Sequence, residues 1–501
     1  MNIAMLLDMA ASGDPDRVAV GPRDAGTTCA ELRRAAAGVA AVVHSSGARE
    51  LVFAGVNGPA FPVLLFGAAL AGVPLVPVNY RLSAEALAGL LKHTERPLVV
   101  ADETLLAEAF AGCEVRTPEA LLAEGSAAEP AVGLEADADD PAVLLFTSGT
   151  TAAPKAAVLR HRHLSSYILQ TVEFGSADPG DAVLMSVPPY HVAGVGSVLS
   201  NLYAGRRMVH LGSFEPEAWL GLVRTEGVTS AMVVPTMLAR VVEHLDGRAA
   251  EVPTLRSLAY GGARMPRPVL EAALRAFRDT GFTNAYGLTE TSSTIALLGP
   301  EDHRAALSSD DPLVRARLRS AGRMVPGVEA EIRDAAGVAQ PAGAVGELWV
   351  RGPQVSGEYK GDAASLDTAS LDADGWFHTR DLAHFDADGY LFIEGRADDT
   401  IIRGGENVAP AEVEDVLLRH AAVREAAVVG VPDEEWGERI AAFVVTHAGA
   451  SVDAEALRAW VRGHLRSSKT PDVVVFRDEL PYTPTGKLLR RQLLTPTTRK
   501  G

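Results

Sequence analysis

Cysteine is almost absent: the chain has two in 501 residues, Cys29 and Cys113, far apart and in no metal-ligand spacing. A disulfide scaffold is excluded, and free thiols in a reducing compartment are expected. Positive charge is in deficit, with 46 Lys and Arg against 64 Asp and Glu and a net charge of −18. Nucleic acid and anionic membranes require basic surface, so neither is expected as the main partner. A few placed cations can still bind a phosphate-bearing ligand. The first residues, MNIAMLLDMAASGD, carry no basic stretch and only a short apolar run, so no signal peptide is expected and the location is read as cytoplasmic. One uncharged run has the length of a membrane span, Pro59 to Val78, but Pro59, Pro62, Pro74 and Pro77 punctuate it. Each proline frees backbone groups that lipid cannot satisfy, so a buried helix followed by a buried strand is expected, with no transmembrane segment.

What is present is a large globular chain, 47% hydrophobic and 22% charged, long enough for two to four domains. Apolar runs bounded by turn residues (51–56, 98–101, 142–147, 231–234, 257–260) alternate with segments of helical period such as 83–94 and 268–277. This alternation predicts parallel sheets covered by helices. From about Gly327 to 394 the texture becomes short β runs between turns, at 329–334, 346–351, 384–386 and 390–394, which predicts a mostly antiparallel, barrel-like subdomain. After Gly395 a compact ending is expected. Pro410 opens a helix with Val413, Val416 and Leu417 inside, strands lie at 426–431, 440–445 and 472–476, and Asp453 caps a helix carrying Leu457, Trp460, Val461 and Leu465. The fold class read from this is α/β, with an N-terminal domain over 1–395, a polar hinge at 396–399 and a small α+β domain over 400–501.

Five short runs carry chemistry. In Leu144-Leu145-Phe146-Thr147-Ser148-Gly149-Thr150-Thr151-Ala152-Ala153-Pro154-Lys155 a buried strand runs into hydroxyls, a glycine and a lysine. Such a segment can wrap phosphate oxygens, although the G-x-x-x-x-G-K-[ST] order of a Walker loop is missing and a Ser/Thr-rich turn has the same composition. In Asn284-Ala285-Tyr286-Gly287-Leu288-Thr289-Glu290-Thr291 an aromatic that can stack on a base stands next to a carboxylate that can hold Mg²⁺. Gly375-Trp376-Phe377-His378-Thr379-Arg380-Asp381 places an acidic residue at an expected strand end, where it can accept ribose hydroxyls. The runs 395–407 (GRADDTIIRGGEN) and Pro484-Thr485-Gly486-Lys487 complete the set.

Together and in this order, the five runs resemble the adenylate-forming superfamily of acyl-CoA synthetases, stand-alone adenylation domains and beetle luciferases. The resemblance covers roughly Ala30 to Lys487. It implies ATP, Mg²⁺ and coenzyme A as ligands and a small carboxylic acid as substrate, activated as an acyl-AMP with release of pyrophosphate and then passed to a thiol. It also implies residue roles. Thr147, Ser148, Gly149, Thr150, Thr151 and Lys155 would close on the ATP phosphates, with Thr150 and Glu290 near Mg²⁺. Gly261, Gly262, Ala263 and Gly287 would border adenine and acyl group, Tyr286 would stack on adenine, and Thr289 would lie near the α-phosphate. Asp381 and Arg396 would hold the ribose. Lys487 would be the catalytic lysine of adenylation, and Asp398 the hinge of a mobile C-terminal domain. His191 matches a gate of the acyl pocket that Val192, Gly194, Thr236 and Ser292 would line. Gly404, Gly405, Glu406, Trp436 and Arg81 match CoA positions of the chlorobenzoate–CoA ligase branch. A homodimer is compatible with the resemblance.

The chain departs from the family pattern at Ala152 and Ala156, where glycine is commoner, which predicts a stiffer phosphate segment. Ala285 stands where dicarboxylate-activating relatives tend to carry arginine, which speaks against malonate, while Arg264 and Arg240 near pocket segments keep an anionic acid open. A carrier-protein thiol or another nucleophile as acceptor, and a nucleotide-binding homologue without catalysis, are the alternatives.

Overall fold

The computed structural model describes residues 1–102, 109–110, 112–129, 136–147, 155–360, 371–404, 406–433, 435–483 and 488–494, the side chains of residues 147 and 407 excepted. It is a mixed α/β protein with a large N-terminal part of parallel-rich sheets and a small α+β part at the C-terminus. Among the described residues the first large sheet has nine strands. Its centre is six parallel strands in the order Gly281–Leu288, Ser257–Gly261, Ser230–Val233, Ala182–Met185, Arg207–His210, Val18–Val20. The second sheet has seven strands. Glu114–Arg116, Pro97–Ala101, Glu50–Ala54, Leu75–Pro77 and Pro141–Thr147 run parallel, and Lys155–Arg160 and Tyr359–Lys360 add antiparallel at the edge.

Strand Glu50–Ala54 is buried along its whole length because both faces are covered: Leu51 and Phe53 enter the core shared with the other sheet, and Val52 and Ala54 a second core on the outer side. That is why these strands read as unbroken apolar runs. The shared core is built on helices Ala4–Gly13, Cys29–Ser46, Ala60–Ala71 and Val192–Ala204. Helix Ala60–Ala71 is apolar on all sides because helices and strands surround it, and strand Leu75–Pro77 follows, as the proline spacing predicts. At 12 residues it is about 18 Å long, short of a bilayer's ~30 Å. Among the described residues no helix is long and apolar enough to cross a membrane.

The β-rich segment is an antiparallel sheet of four strands, Glu329–Arg333, Gly346–Arg351, Phe377–Phe385 and Leu391–Arg396, in open order and joined to the nine-stranded sheet by a bridge between Gly322 and Leu391. The C-terminal sheet gathers Ile401–Arg403, Glu406–Val408, Val423–Asp433, Gly437–Thr446 and Val473–Phe476 around helices Pro410–Leu417 and Ala454–Arg462. Pro410 occupies the first turn of its helix, and the Asp453 carboxylate accepts the Ala456 N–H at 2.7 Å as its cap. Cys29 and Cys113 are both free thiols.

Two sequence expectations are corrected. Asp381 is not at a strand end: it sits inside the nine-residue strand Phe377–Phe385, because Trp349 and Val350 pair with His378 and Phe377 and extend the ladder through the motif. Ala156 is not part of the phosphate segment. It is a buried strand residue paired with Phe146 and Lys360, so its methyl group adds no stiffness there.

Candidate active site

Parallel strands bring their carboxyl ends to one edge, which is where open α/β sheets bind ligands. At that edge of the nine-stranded sheet lie Pro188–Val192, Val234–Thr236, Gly261–Ala263 and Leu288–Ser292, four segments that are distant in sequence.

The centre of the site is a polar triad. The Tyr286 hydroxyl donates to Asp381 Oδ2 at 2.5 Å, and Arg396 Nε lies 2.9 Å from Asp381 Oδ1. Tyr286 comes from the nine-stranded sheet. Asp381 and Arg396 face one another as register partners on two strands of the four-stranded sheet. Asp381 is 5% exposed, and the strand bulges just beyond it. Arg396 Nη1 also donates to the Thr379 carbonyl at 3.1 Å. Burial, then the Asp381 charge, pushes the Tyr286 hydroxyl well above its ordinary range, so it stays a donor. Burial works against the Arg396 charge, but Asp381 and other anions outweigh it and raise its pKa. A carboxylate offers about four lone-pair positions, so a group of this kind can accept from a vicinal diol as well as from neighbouring side chains. The hydroxyl tether also fixes the Tyr286 ring as a rigid platform.

The second element is the turn that follows Tyr286. Strand Gly281–Leu288 runs into the 3₁₀ turn Thr289–Thr291, and the chain reverses through Ser292 (φ 56°) and Ser293 (φ 114°) into strand Ser293–Leu298. Left-handed non-glycine residues are costly and persist where surroundings over-determine them. Here the buried Thr291 hydroxyl binds the Leu288 N–H and the Leu288 and Ser293 carbonyls, and Gln354 Nε2 donates to the Thr291 and Thr294 carbonyls at 3.0 and 2.9 Å. Gly287 is required: a Cβ there would lie 1.8 Å from the Ser293 carbonyl oxygen. The turn presents Glu290, whose Oε1 accepts the Tyr359 hydroxyl and whose carbonyl accepts the Ser356 and Gly357 N–H groups at 2.8 and 3.2 Å. No cluster of three His, Cys, Asp or Glu able to hold a metal exists among the described residues. A single hard carboxylate such as Glu290 fits Mg²⁺, which takes one or two protein carboxylates and draws its other ligands from phosphates and water.

His191 precedes helix Val192–Ala204, so Val192 and Gly194 form its first turn. This helix approaches the Ser292 turn: a side chain at Gly196 would meet Ser293 Oγ at 3.4 Å and Tyr167 at 3.5 Å. The Ser292 hydroxyl is fully buried and has no hydrogen-bond partner among the described residues. Thr236 stands in the first turn of helix Pro235–Leu245. Arg240 pairs with Glu215 at 2.8 Å, and Arg264 pairs with Asp415 of the C-terminal part, so both arginines left open for an anionic acid are engaged by carboxylates.

In the C-terminal sheet Gly404 turns with φ 58° between Ile401–Arg403 and Glu406–Val408. Its N–H donates to the Trp436 carbonyl at 2.8 Å, and a Cβ would stand 3.0 Å from the Trp436 ring. Trp436 is 43% exposed, with the Arg403 guanidinium 5.3 Å from its ring centre. Arg81 lies over the Tyr80 ring at 5.5 Å and shares no hydrogen bond, ion pair or ring contact with Trp436. Asp398 sits in the turn Ala397–Asp399 between the two parts, 3.9 Å from Arg380.

Thr147 and Lys155 are register partners at the two ends of the hydroxyl-rich segment. Ser148, Gly149, Thr150, Thr151, Ala152, Gly405 and Lys487 lie outside the described residues. Sequence reasoning missed Tyr359 and Gln354. Tyr359 is placed by strand pairing and Gln354 acts through side-chain bonds to a distant turn, neither of which leaves a motif. A cavity of about 530 Å³ opens at the amino ends of the seven-stranded sheet beside Glu50 and Lys360, and Tyr359, whose hydroxyl bonds Glu290, also borders it. Its charges pair internally, Lys360 with Glu50 and Arg49 with Glu95, and it is not this site.

An aromatic ring tied to a buried carboxylate, with a second carboxylate on the turn that follows, is an arrangement able to take a nucleotide, and the profile of the AMP-binding enzyme family matches residues 7–360. The chain belongs to this family. The profile of the AMP-binding enzyme C-terminal domain matches residues 412–487. This AMP-binding enzyme is 37% identical over 447 residues to a fatty acid–acyl-carrier-protein ligase of Streptomyces coeruleorubidus, covering 86% of this chain and 83% of that one. It is 35% identical over 495 residues to a feruloyl-CoA synthase of Amycolatopsis, with 96% of each chain covered. Among solved structures it superposes on the o-succinylbenzoate CoA synthetase of Bacillus subtilis, seen with its acyl-adenylate intermediate, at a TM-score of 0.85 and 28% identity over 98% of each chain.

Proposed function

We propose that this enzyme is an ATP-dependent carboxylic acid–CoA ligase acting in the cytoplasm on an aryl or aliphatic acid whose acyl group carries no further charge. The observation that carries the nucleotide half is the Tyr286–Asp381–Arg396 triad. Tyr286 carries the adenine, and Asp381 with Arg396 the ribose hydroxyls. Thr147 to Lys155 take the phosphates, and Thr289 with Lys487 stands at the reacting phosphoryl group. Glu290, with Thr150, would hold Mg²⁺, which when bound neutralises phosphate charge. A carboxylate oxygen of the acid attacks the α-phosphorus, the bond to the β-phosphate oxygen breaks, and pyrophosphate leaves. Cations and donors aimed in advance at the developing charge lower that barrier. In the second step a thiol sulfur displaces AMP from the acyl carbon and loses its proton.

Domain 400–501 is assigned the turning element, with 396–399 as hinge about Asp398. In the second step it would withdraw Lys487 and bring in Gly404, Gly405 and Glu406 beside the thiol arm, with Trp436 and Arg81 on CoA. The engagement of Arg264 and Arg240 by carboxylates favours an uncharged acyl group between His191, Val192, Gly194, Thr236 and Ser292. The acceptor is read as CoA from the feruloyl-CoA synthase that resembles the chain over 96% of its length. A carrier-protein thiol is the second reading, favoured by the 37% identity to a carrier-protein ligase.

The test is incubation with Mg-ATP and a panel of aryl and aliphatic acids, with and without CoA, following AMP and pyrophosphate. CoA-dependent AMP release with a thioester product is expected. Acid-dependent pyrophosphate exchange that ignores CoA would move the acceptor to a carrier protein. Absence of both with every acid would refute the ligase.

A further inference from the structure

The segment that grips Glu290, residues 356–360, is anchored at Ser356, Glu358 and Lys360. The Ser356 hydroxyl donates to the Val158 carbonyl, and the Val158 N–H donates to the Glu358 carbonyl at 2.9 Å. The Glu358 carboxylate takes both arms of Arg160, at 2.8 and 2.6 Å. Lys360 is paired with Glu50, whose side chain is 5% exposed. Tyr359 stands between these anchors, in register with Ala157, two residues from the end of the phosphate segment at Lys155. Three bonds run from this strand and the residues just before it to one residue: the Ser356 and Gly357 N–H groups to the Glu290 carbonyl and the Tyr359 hydroxyl to Glu290 Oε1.

We propose that Tyr359 is a positioning residue for Glu290: it occupies Oε1 and so presents Oε2 to the divalent cation of the ATP complex, while its strand locks the carboxylate to the border of the phosphate segment. The inference rests on Glu290 being the cation ligand. A carboxylate side chain has three rotatable bonds, and an unheld one must be ordered at each binding event. Partners that hold a ligating group typically change metal affinity by roughly 10–100-fold when removed.

The experiment is Mn²⁺ titration of the full chain at saturating ATP, read by the electron paramagnetic resonance of free Mn²⁺, with ATP affinity in EDTA measured in parallel. Tyr359→Phe keeps the ring and removes only the donor. Its Mn²⁺ dissociation constant should rise about 10-fold or more, with divalent-free ATP affinity unchanged. Glu290→Gln should weaken Mn²⁺ as well, and the double variant should be no worse than Glu290→Gln alone. In turnover, the Mg²⁺ concentration for half-maximal rate should rise while kcat at saturating Mg²⁺ recovers, which a general packing defect would not give. Wild-type Mn²⁺ affinity in Tyr359→Phe, fully additive losses in the double variant, or equal loss of ATP in EDTA would each overturn the proposal. If Glu290→Gln weakens Mn²⁺ and Tyr359→Phe does not, only the tether fails. If neither does, the cation site is misplaced and both readings fall.

Discussion

Changing Asp381 to Asn keeps the shape of the side chain and removes its charge. In the free enzyme the carboxylate takes the Tyr286 hydroxyl at 2.5 Å and Arg396 Nε at 2.9 Å. An amide can satisfy both, since its oxygen accepts from Arg396 and the tyrosine hydroxyl can rotate to accept from the new NH₂ group. The two bonds survive as neutral-acceptor bonds, each weaker by about 1 kcal/mol. Arg396 also loses its counter-ion. Breaking a fully buried pair costs about 3–5 kcal/mol, but the Arg396 side chain is 37% exposed and water screens part of that. A loss of roughly 2–4 kcal/mol in stability is expected. Nucleotide binding suffers separately. Two ribose hydroxyls that now meet one neutral oxygen lose about 2 kcal/mol, a rise of roughly 30-fold in KM for ATP. The assay is acid-dependent ATP–pyrophosphate exchange with ATP varied, beside a thermal melt. KM for pyrophosphate should stay constant, because the phosphate end is untouched. Wild type should discriminate against 2′- and 3′-deoxy-ATP, and Asp381→Asn should lose most of that discrimination. A folded Asp381→Asn enzyme with KM for ATP within twofold of wild type, or undiminished discrimination against deoxy-ATP, would refute the ribose assignment.

Three further outcomes are expected. Lys487→Ala should lower adenylation by about 10²–10³-fold, the effect of removing one preorganised donor, yet still convert supplied acyl-adenylate and CoA to thioester; equal loss in both steps would sink the turning-domain reading. Gly287→Ala should destabilise by at least the upper end of the roughly 1–3 kcal/mol typical of overpacking, because its Cβ would lie 1.8 Å from the Ser293 oxygen, and a wild-type melting curve would contradict the close strand approach. His161, His163 and His210 are each lowered by burial to about 4 and fold neutral. Below the unfolded value near 6.5 the unfolded chain binds protons that the native one does not. The stability they contribute is therefore full above that pH and declines as pH falls toward 4, by about 2 kcal/mol per histidine at pH 5. Equilibrium denaturation from pH 7 to 5 measures the slope, and His161→Asn, His163→Asn and His210→Asn should each flatten it.

Local chemistry made much of this protein legible before any coordinates. The unbroken apolar strands of the parallel sheets, the proline-opened helix at 410, the Asp453 cap and the buried helix Ala60–Ala71 all follow from interactions within a few residues and from burial on both faces. The motif residues Tyr286, Glu290, Asp381 and Arg396 were nameable because side-chain type and order along the chain are written in the sequence. How they touch was not. The Tyr286–Asp381 bond spans 95 residues and joins two sheets, and Asp381 meets Arg396 only through antiparallel register. Arg264 read as a pocket cation until folding placed Asp415, 151 residues away, against it. Tyr359 carried no signal because a single tyrosine in a short edge strand has no periodicity and no motif. Its role exists only once strand pairing sets it opposite Ala157 and under Glu290. Sequence determined which groups were available, since propensity and patterning are local. Tertiary structure decided which of them meet, since strand register and sheet packing are long-range and a one-residue slip would turn each of these side chains to the other face.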